Sequence, residues 1–139
     1  MNHLVVVGGG VLGTAHALAA CDAGWRVTHL EREAAPRGAS TRNFGLVWVG
    51  GRAGGRELDL ALESRDRWEA LGARHDGIGF RPNGSLTVAE SPEEEAVLEA
   101  VASRPDAVAR GVELLGPEEA RRVNPALGKV RAALHCTKD

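Results

Sequence analysis

Cysteine is scarce in this chain of 139 residues, and it contains no long apolar run. Cys21 and Cys136 are far apart and form no C-x-x-C pair, so we do not expect a structural disulfide. Cys21 falls in an alanine-rich segment, where we expect a small buried side chain. The apolar run near the amino terminus is too short for a signal-peptide core or a membrane span. We therefore expect no membrane partner and a cytoplasmic location.

Charge excess and metal-ligand spacing are also missing. The formal net charge is -2 and the arginines are spread along the chain, which gives no general attraction to nucleic acid. None of the five histidines has the spacing of a metal site, and no Ser/His/Asp or Cys/His nucleophile arrangement can be drawn. We expect His29 to be a buried, hydrogen-bonded residue of a strand.

Glycine, by contrast, is concentrated where it carries information. The apolar run Leu4–Val7 leads into the sequence Gly8-Gly9-Gly10-Val11-Leu12-Gly13, an alanine-rich helix follows as far as Gly24, and a second strand covers Val27–Glu31. In such a β-α-β unit the first glycine permits a sharp turn, the second admits a pyrophosphate and the third brings the helix close to the strand. The helix start presents free N–H groups and a positive dipole end to phosphates.

Glu31 ends the second strand at about the spacing where a carboxylate accepts hydrogen bonds from ribose hydroxyls. An acid at this position disfavours a 2′-phosphate, so NADP is the least expected ligand. The unit by itself does not separate NAD from the ADP half of FAD. A plain strand-to-helix connection is the non-functional alternative.

Beyond residue 31 the sequence predicts a glycine-, arginine- and serine-rich loop over residues 32–55 and a helix over 57–71 with Trp68 on its core face. Asn83-Gly84 predicts a hairpin turn between two short strands within 80–88. Ser91, Pro92 and Glu94 predict a capped helix start. A strand over 112–115, a helix over 117–123 and a strand over 130–134 complete the prediction.

The segment Gly38-Ala39-Ser40-Thr41-Arg42-Asn43-Phe44-Gly45-Leu46 resembles the second flavin-contacting segment of a known family. That family is the flavin-dependent amine oxidoreductases of the D-amino-acid oxidase, glycine oxidase and sarcosine oxidase group. Residues 83–89, 92–95 and 114–120 resemble its substrate-domain hairpin, helix and connecting helix, so the resemblance spans nearly the whole chain. Within the group, residues 37–45 are most similar to oxidoreductases associated with aminophosphonate breakdown.

The resemblance implies FAD as the cofactor and assigns its contacts in four sets. The glycine turn would contact the pyrophosphate, Glu31 the adenosine ribose, the Ala39-Ser40 pair the pyrophosphate and ribityl chain, and residues 44–46 the isoalloxazine ring. The complete set is Gly8, Gly10, Val11, Leu12, Gly13, Glu31, Arg32, Ala39, Ser40, Asn43, Phe44, Gly45 and Leu46. For Arg42 two roles stay open: it could face the flavin or an anionic substrate, or it could be a surface residue that closes the loop.

The implied fold class is α/β: a Rossmann-like FAD-binding β-α-β unit in residues 1–75, then the start of an α+β substrate domain in 76–139. Family members continue for about as much chain again, so we expect an incomplete, amino-terminal part. The implied activity is oxidation of the C–N bond of a small amine, and we assign no catalytic residue here. We expect this chain alone to be inactive. An NAD-binding module and a non-catalytic remnant are the alternatives.

Overall fold

The computed structural model describes all residues, 1–139, and they form two compact units, Met1–Leu46 and Val47–Asp139. The boundary between these units lies before the long helix of the second unit. The sequence predicts a different boundary, after residue 75, between an FAD-binding domain and a substrate domain. That division into functional domains stays a prediction.

The first unit contains the predicted β-α-β arrangement. Strand β1 (His3–Val7), helix α1 (Val11–Asp22) and strand β2 (Arg26–Leu30) follow in order, and a 3-10 turn covers Ala39–Thr41. The two strands pair in parallel, with Val6 opposite His29. The Rossmann-like α/β prediction is therefore confirmed.

Helix α1 packs on one face of this two-stranded sheet. Val6, Ala17 and Ala20 are buried, whereas Val5 and Val7 on the opposite face are 53% and 82% exposed. Small residues at helical spacing let the helix approach the strand closely, so a few alanines and glycines are enough to form this interface.

Two burial predictions for this unit are wrong. Cys21 is exposed, because the helix buries Ala17 and Ala20 and the next residue turns about 100° away from that face. His29 is exposed as well, since β2 has a neighbouring strand on one side only. The hydrogen bond expected of His29 is present, because its Nε2 lies 2.7 Å from the carbonyl oxygen of Gly8.

The second unit is a helix followed by an α+β arrangement. Its elements are α2 (Arg56–Arg74), β3 (Ser85–Ala89), α3 (Pro92–Ala102), β4 (Val112–Leu115), α4 (Pro117–Val123) and β5 (Ala132–Cys136), with a 3-10 turn over Asp76–Ile78. The three strands form an antiparallel sheet in the order β3-β5-β4. Trp68 on α2 is half-buried, which agrees with the prediction that it lies on the core face of this helix.

The predicted hairpin is wrong. Gly84 does adopt a positive φ of +69°, as a turn residue would, but residues 80–84 form no strand and β3 pairs with β5 instead. Pro82 has no N–H to donate to a strand partner, which disfavours a strand before the turn. The turn was predictable from adjacent residues, whereas the partner lies about 50 residues further along the chain.

The sheet is covered on both faces. On one face Ala89 and Ala132 pack against Leu98 of α3, and on the other Ala133 packs against Ala120 of α4. This alternation follows from the two-residue period of β5. The predicted cap of α3 is confirmed: Ser91 Oγ accepts from the Glu94 amide at 3.2 Å, and the Glu94 carboxylate accepts from the Ser91 amide at 3.2 Å.

A buried arginine holds the start of the second unit in place. Arg110 is 1% exposed and donates from one terminal nitrogen to the carbonyl oxygens of Val49, Gly50 and Arg52, at 3.3, 3.1 and 2.7 Å. Its other terminal nitrogen donates to Asp106 at 2.6 Å. Residues 49–52 form an irregular segment, which we call the strap. The Arg110 side chain satisfies the carbonyl oxygens of Val49, Gly50 and Arg52 in place of a strand or helix partner.

Two amides of the strap, those of Val49 and Gly50, donate to a different side chain. Asp139 Oδ1 accepts from the amides of Val49 and Gly50, both at 2.7 Å, and its Oδ2 accepts from Ser85 Oγ at 2.6 Å. Nearby, burial and the negative charge of Asp139 raise the pKa of the Cys136 thiol to about 11. Both cysteines are free thiols, and Cys136 is a protonated core residue at neutral pH.

Candidate functional site

The turn between β1 and α1 has geometry that only glycine tolerates at two positions. Gly8 has a φ of +111°, in the region that side chains disfavour. A Cβ on Gly13 would lie 2.0 Å from the carbonyl oxygen of Gly8 and 3.3 Å from the side chain of Val6. The third glycine therefore brings the helix against the strand, as the sequence pattern predicts.

Glu31 lies beside this turn, directly after β2. Its Oε2 accepts from the amide of Gly9 at 2.6 Å, and its Oε1 accepts from the amide of Glu33 at 3.0 Å. These backbone N–H groups, that of Glu33 first, lower the pKa of the Glu31 carboxyl below its ordinary value. The group is therefore a carboxylate at neutral pH, and it remains exposed enough to accept hydrogen bonds from a ligand.

Ser40 approaches the same turn from the other side. The 3-10 turn over Ala39–Thr41 places Ser40 Oγ 2.8 Å from the amide nitrogen of Val11, at the first position of α1. A Cβ on Gly10 would lie 3.0 Å from this oxygen. Ser40 and Val11 are far apart along the chain, and the fold brings them together at the amino terminus of α1.

These groups line one cleft of about 390 Å³ in the first unit. Its lining residues are Gly10, Glu31, Arg32, Glu33, Pro36, Arg37, Gly38, Ala39 and Ser40. The amides of Gly10 and Leu12, at the start of α1, donate to no protein acceptor. The cleft thus combines the free amide of Gly10, a carboxylate and a hydroxyl, and the free amide of Leu12 belongs to the adjoining helix start. These donors and acceptors suit phosphate and ribose.

Five of the residues predicted from the sequence line this cleft: Gly10, Glu31, Arg32, Ala39 and Ser40. Gly8, Val11, Leu12 and Gly13 belong to the adjoining turn and helix start. The Arg32 guanidinium is 91% exposed and pairs with Glu33 at 3.1 Å. Sequence reasoning did not assign the other four lining residues to the site: Glu33, Pro36, Arg37 and Gly38. Their place at the cleft follows from the path of the chain after β2.

The remaining predicted contacts lie outside the cleft. Phe44 is fully exposed, Leu46 is 54% exposed, and Gly45 has a φ of +67°. Asn43 donates to the carbonyl oxygens of Ala39 and Ser40 and accepts from the amide of Gly45. A flavin-ring role for residues 44–46 remains a prediction, and the Asn43 side chain is occupied by the backbone of its own loop.

A parallel β-α-β unit with a glycine turn and a terminal carboxylate beside a cleft is typical of dinucleotide-binding folds. The model of the FAD dependent oxidoreductase family, DAO, matches residues 3–139. The chain therefore belongs to this family, which confirms the resemblance seen in the sequence. Comparison with curated protein sequences gave no match.

Solved structures share the fold. The chain is similar to glycine oxidase from Bacillus cereus at 24% identity and a TM-score of 0.82, with 99% of this chain and 39% of that chain covered. It is similar to L-proline dehydrogenase from P. horikoshii at 22% identity and a TM-score of 0.81, with 99% and 37% covered. It is similar to glycine oxidase from Geobacillus kaustophilus at 23% identity and a TM-score of 0.79, with 100% of this chain and 40% of that chain covered. The chain thus spans well under half the length of these structures.

No helix has the length and apolar character needed to cross a membrane. No group of three or more histidine, cysteine or acidic side chains is arranged to hold a metal ion.

Proposed function

We propose that the first unit holds the ADP half of FAD in an oxidoreductase that oxidises the C–N bond of a small amine. The observation that supports this most directly is the single cleft in which Glu31, Ser40 and the glycine turn meet, in a chain that belongs to an FAD-dependent family. The names of the similar structures, glycine oxidase and L-proline dehydrogenase, point to amino-acid amines.

The residues fit the ADP group on grounds of shape and charge. A Cβ on Gly10 would lie 3.0 Å from Ser40 Oγ, so the absence of a side chain there leaves room for Ser40 and keeps the cleft wall at Gly10 free for a pyrophosphate to approach its amide. Glu31 keeps its negative charge because backbone amides hold its pKa low, and a carboxylate is the acceptor that ribose hydroxyls need. Bound flavin would supply the hydride acceptor that oxidation of an amine C–N bond requires. The residues of this chain would bind the nucleotide end of the cofactor.

We expect a longer protein carrying these residues to purify yellow with FAD bound. Gly10→Val should abolish that binding, because a branched side chain at this position occupies the pyrophosphate space and collides with Ser40. Flavin absorbance per mole of folded protein is the measurement. Circular dichroism controls for folding of the variant. Full flavin content in a folded Gly10→Val protein would contradict the proposed site.

Residues 1–139 alone are the matched comparison. We propose that they bind FAD more weakly than about 1 μM, a binding free energy of about 8 kcal/mol, because their cleft offers partners for the nucleotide end only. We also expect no amine-dependent peroxide formation from them. Titration with FAD, followed by flavin fluorescence, checks the first expectation, and a peroxide assay checks the second. Tight binding together with turnover would show that this stretch is sufficient for activity.

For the longer protein we propose a preference for small anionic amines, aminophosphonates in particular. The support is the similarity of residues 37–45 to aminophosphonate-associated oxidoreductases, with Arg42 available to pair with a phosphonate. We expect kcat/KM for aminoethylphosphonate to exceed the values for glycine, sarcosine and D-alanine at least about tenfold, as one charge-assisted hydrogen bond allows. Steady-state kinetics on the four amines is the measurement. A preference for D-alanine would remove the aminophosphonate proposal.

A further inference from the structure

In the second unit, three hydrogen-bond donors from two separate segments converge on one side chain. The amides of Val49 and Gly50 both donate to Asp139 Oδ1 at 2.7 Å, and the Ser85 hydroxyl donates to Asp139 Oδ2 at 2.6 Å. The amide of Arg52 donates to the Val49 carbonyl oxygen at 3.1 Å, so the two donating amides belong to a turn. Successive amides of a turn that point at one oxygen form an anion-binding concavity.

The backbone of the strap leaves room for the carboxylate. A Cβ on Gly50 would lie 3.1 Å from Asp139 Oδ2 and 3.0 Å from Cys136 Sγ, closer than nearly all such contacts in proteins. Gly50 has no positive φ, so the backbone conformation does not require glycine at this position. The requirement is space, because glycine lets the backbone approach a bound group closely. The strap is therefore shaped around a carboxylate.

The charge of Arg110 strengthens the same donors. The peptide group between Val49 and Gly50 donates its N–H to Asp139 and accepts at its carbonyl oxygen from Arg110 at 3.3 Å. The N–H and C=O of one peptide group point in opposite directions, so the carboxylate and the guanidinium lie at the two ends of one peptide dipole. Hydrogen bonds in such a chain polarise one another, which makes the N–H a better donor to a negative group.

We propose that the strap and Ser85 form a carboxylate-binding site, that Asp139 fills this site as a ligand built into the chain, and that Asp139 is thereby the positioning residue of the strap. The ligand class is a small monocarboxylate, because two amides bind one oxygen and a hydroxyl binds the other. The site lies within the second unit and is independent of the nucleotide site proposed above.

The position of the strap depends on this site because no regular element includes the strap. Residues 44–49 and the strap form neither a helix nor a strand, so no ladder of backbone hydrogen bonds sets their path. The bonds of Asp139 join residues 54 to 90 positions apart and connect the strap to the first residue of β3. A side-chain carboxylate thus takes the place that a strand partner has elsewhere.

The test empties the site and then supplies a free carboxylate. Asp139→Ala removes the carboxylate, and formate is added at neutral pH, with sodium chloride at the same ionic strength as the comparison. Every form carries two added glycines after residue 139, so that the terminal carboxylate of the chain does not replace the side chain. Hydrogen exchange of the Val49 and Gly50 amides, read from nitrogen-proton correlation spectra, measures whether the site is filled.

We expect these two amides to exchange about ten- to a hundredfold faster in Asp139→Ala than in the wild-type chain, the range of a lost hydrogen bond to a charged group. Formate should restore slow exchange with a saturable dependence on its concentration, and chloride should not. Formate should have no such effect on the wild-type chain, in which Asp139 already occupies the site. If Asp139→Ala is unfolded in chloride, we expect formate to restore its folding.

Two further variants separate binding from general stability. Leu98→Ala is the matched control, because it leaves a cavity in the core beside α3 while Asp139 still fills the site. Formate should not slow exchange in this variant. Asp139→Asn keeps the side-chain volume and an acceptor oxygen but loses the charge. We expect it to speed exchange of the Val49 and Gly50 amides at least about threefold, without a response to formate, because the site remains filled.

Three outcomes would overturn the proposal. Unchanged exchange at Val49 and Gly50 in Asp139→Ala would show that Asp139 does not position the strap. Equal effects of formate and chloride, or the same formate effect in Leu98→Ala, would show that salt stabilises the chain without a carboxylate site. An unfolded Asp139→Ala chain that formate does not restore would show that the strap does not bind a free carboxylate.

Discussion

Gly13→Ala should unfold the first unit. The added methyl carbon would lie 2.0 Å from the Gly8 carbonyl oxygen, which is backbone and cannot rotate away. Alanine improves helix propensity over glycine by about 1 kcal/mol, whereas overpacking of this kind costs roughly 3 kcal/mol or more. The steric cost therefore exceeds the propensity gain. A two-stranded sheet with a single covering helix has little stability in reserve to absorb it.

Amide hydrogen exchange over residues 3–30, read by mass spectrometry, is the appropriate measurement because it reports the first unit separately. We expect protection in β1 and α1 to disappear in Gly13→Ala. Gly38→Ala is the matched control, since a Cβ there meets nothing within 4 Å and the φ of -85° suits any residue. It should keep wild-type protection. Intact protection in Gly13→Ala would show that α1 can move away from β1 without loss of stability, and would contradict the prediction.

The β-α-β unit could be predicted almost completely, because its information is local. The strand, the glycine turn and Glu31 lie within about 30 residues, and each residue type follows from a steric or electrostatic need at that point. The capped start of α3 was predictable for the same reason: Ser91 and Glu94 satisfy each other's amides within one helical turn.

Contacts between distant residues were the part that local patterns did not carry. The partner of β3 is β5, and an Asn-Gly turn beside β3 suggested a nearer partner. The capping of α1 by Ser40 joins residues 29 positions apart, so no periodicity or turn rule indicates it. The resemblance of residues 38–46 to a flavin-contacting segment predicted that Ser40 belongs to the site, but it did not show that Ser40 would take the Val11 amide.

Burial was also hard to predict where few elements surround a residue. Cys21 and His29 have side chains that elsewhere are often found in cores, yet both are exposed in the small first unit. Arg110 is the opposite case. An arginine in a run of charged and small residues gives no sign of being buried, and its burial is explained by its bonds to the strap carbonyls and to Asp106.

Arg110→Met should destabilise the second unit by about 3 kcal/mol, the lower end of the range for removing one partner of a buried charged pair, because Arg110 is buried and Asp106 is partly exposed. Methionine roughly conserves the volume but leaves the carbonyl oxygens of Val49, Gly50 and Arg52 without their donor. Replacing a buried ion pair by apolar residues is often neutral, because the desolvation cost disappears as well. Here the guanidinium also satisfies three backbone acceptors, so the loss exceeds that relief.

Urea denaturation followed by tryptophan fluorescence measures this effect, since Trp48 lies next to the strap and Arg52 stacks over its ring at 5.5 Å. The matched control is Arg67→Met, whose exposed pair with Glu63 on α2 spans 2.6 Å and should contribute only about 0.3 to 0.5 kcal/mol. Equal effects of the two substitutions would show that the strap does not depend on Arg110.

The acid dependence of stability gives a second measure of the same contact. The hydrogen bond from Arg110 lowers the pKa of the Asp106 carboxyl below its ordinary value. A lowered folded-state pKa contributes stability that is present above the unfolded-state pKa and is lost as the pH falls through the folded-state value. Wild-type stability should therefore fall more steeply on acidification than that of Arg110→Met, in which Asp106 lacks this donor and its pKa is not lowered by it. Denaturation midpoints measured from neutral pH downwards would then diverge least at the lowest pH, where Asp106 is protonated in both proteins, and a constant difference at every pH would rule out a contribution from this pair.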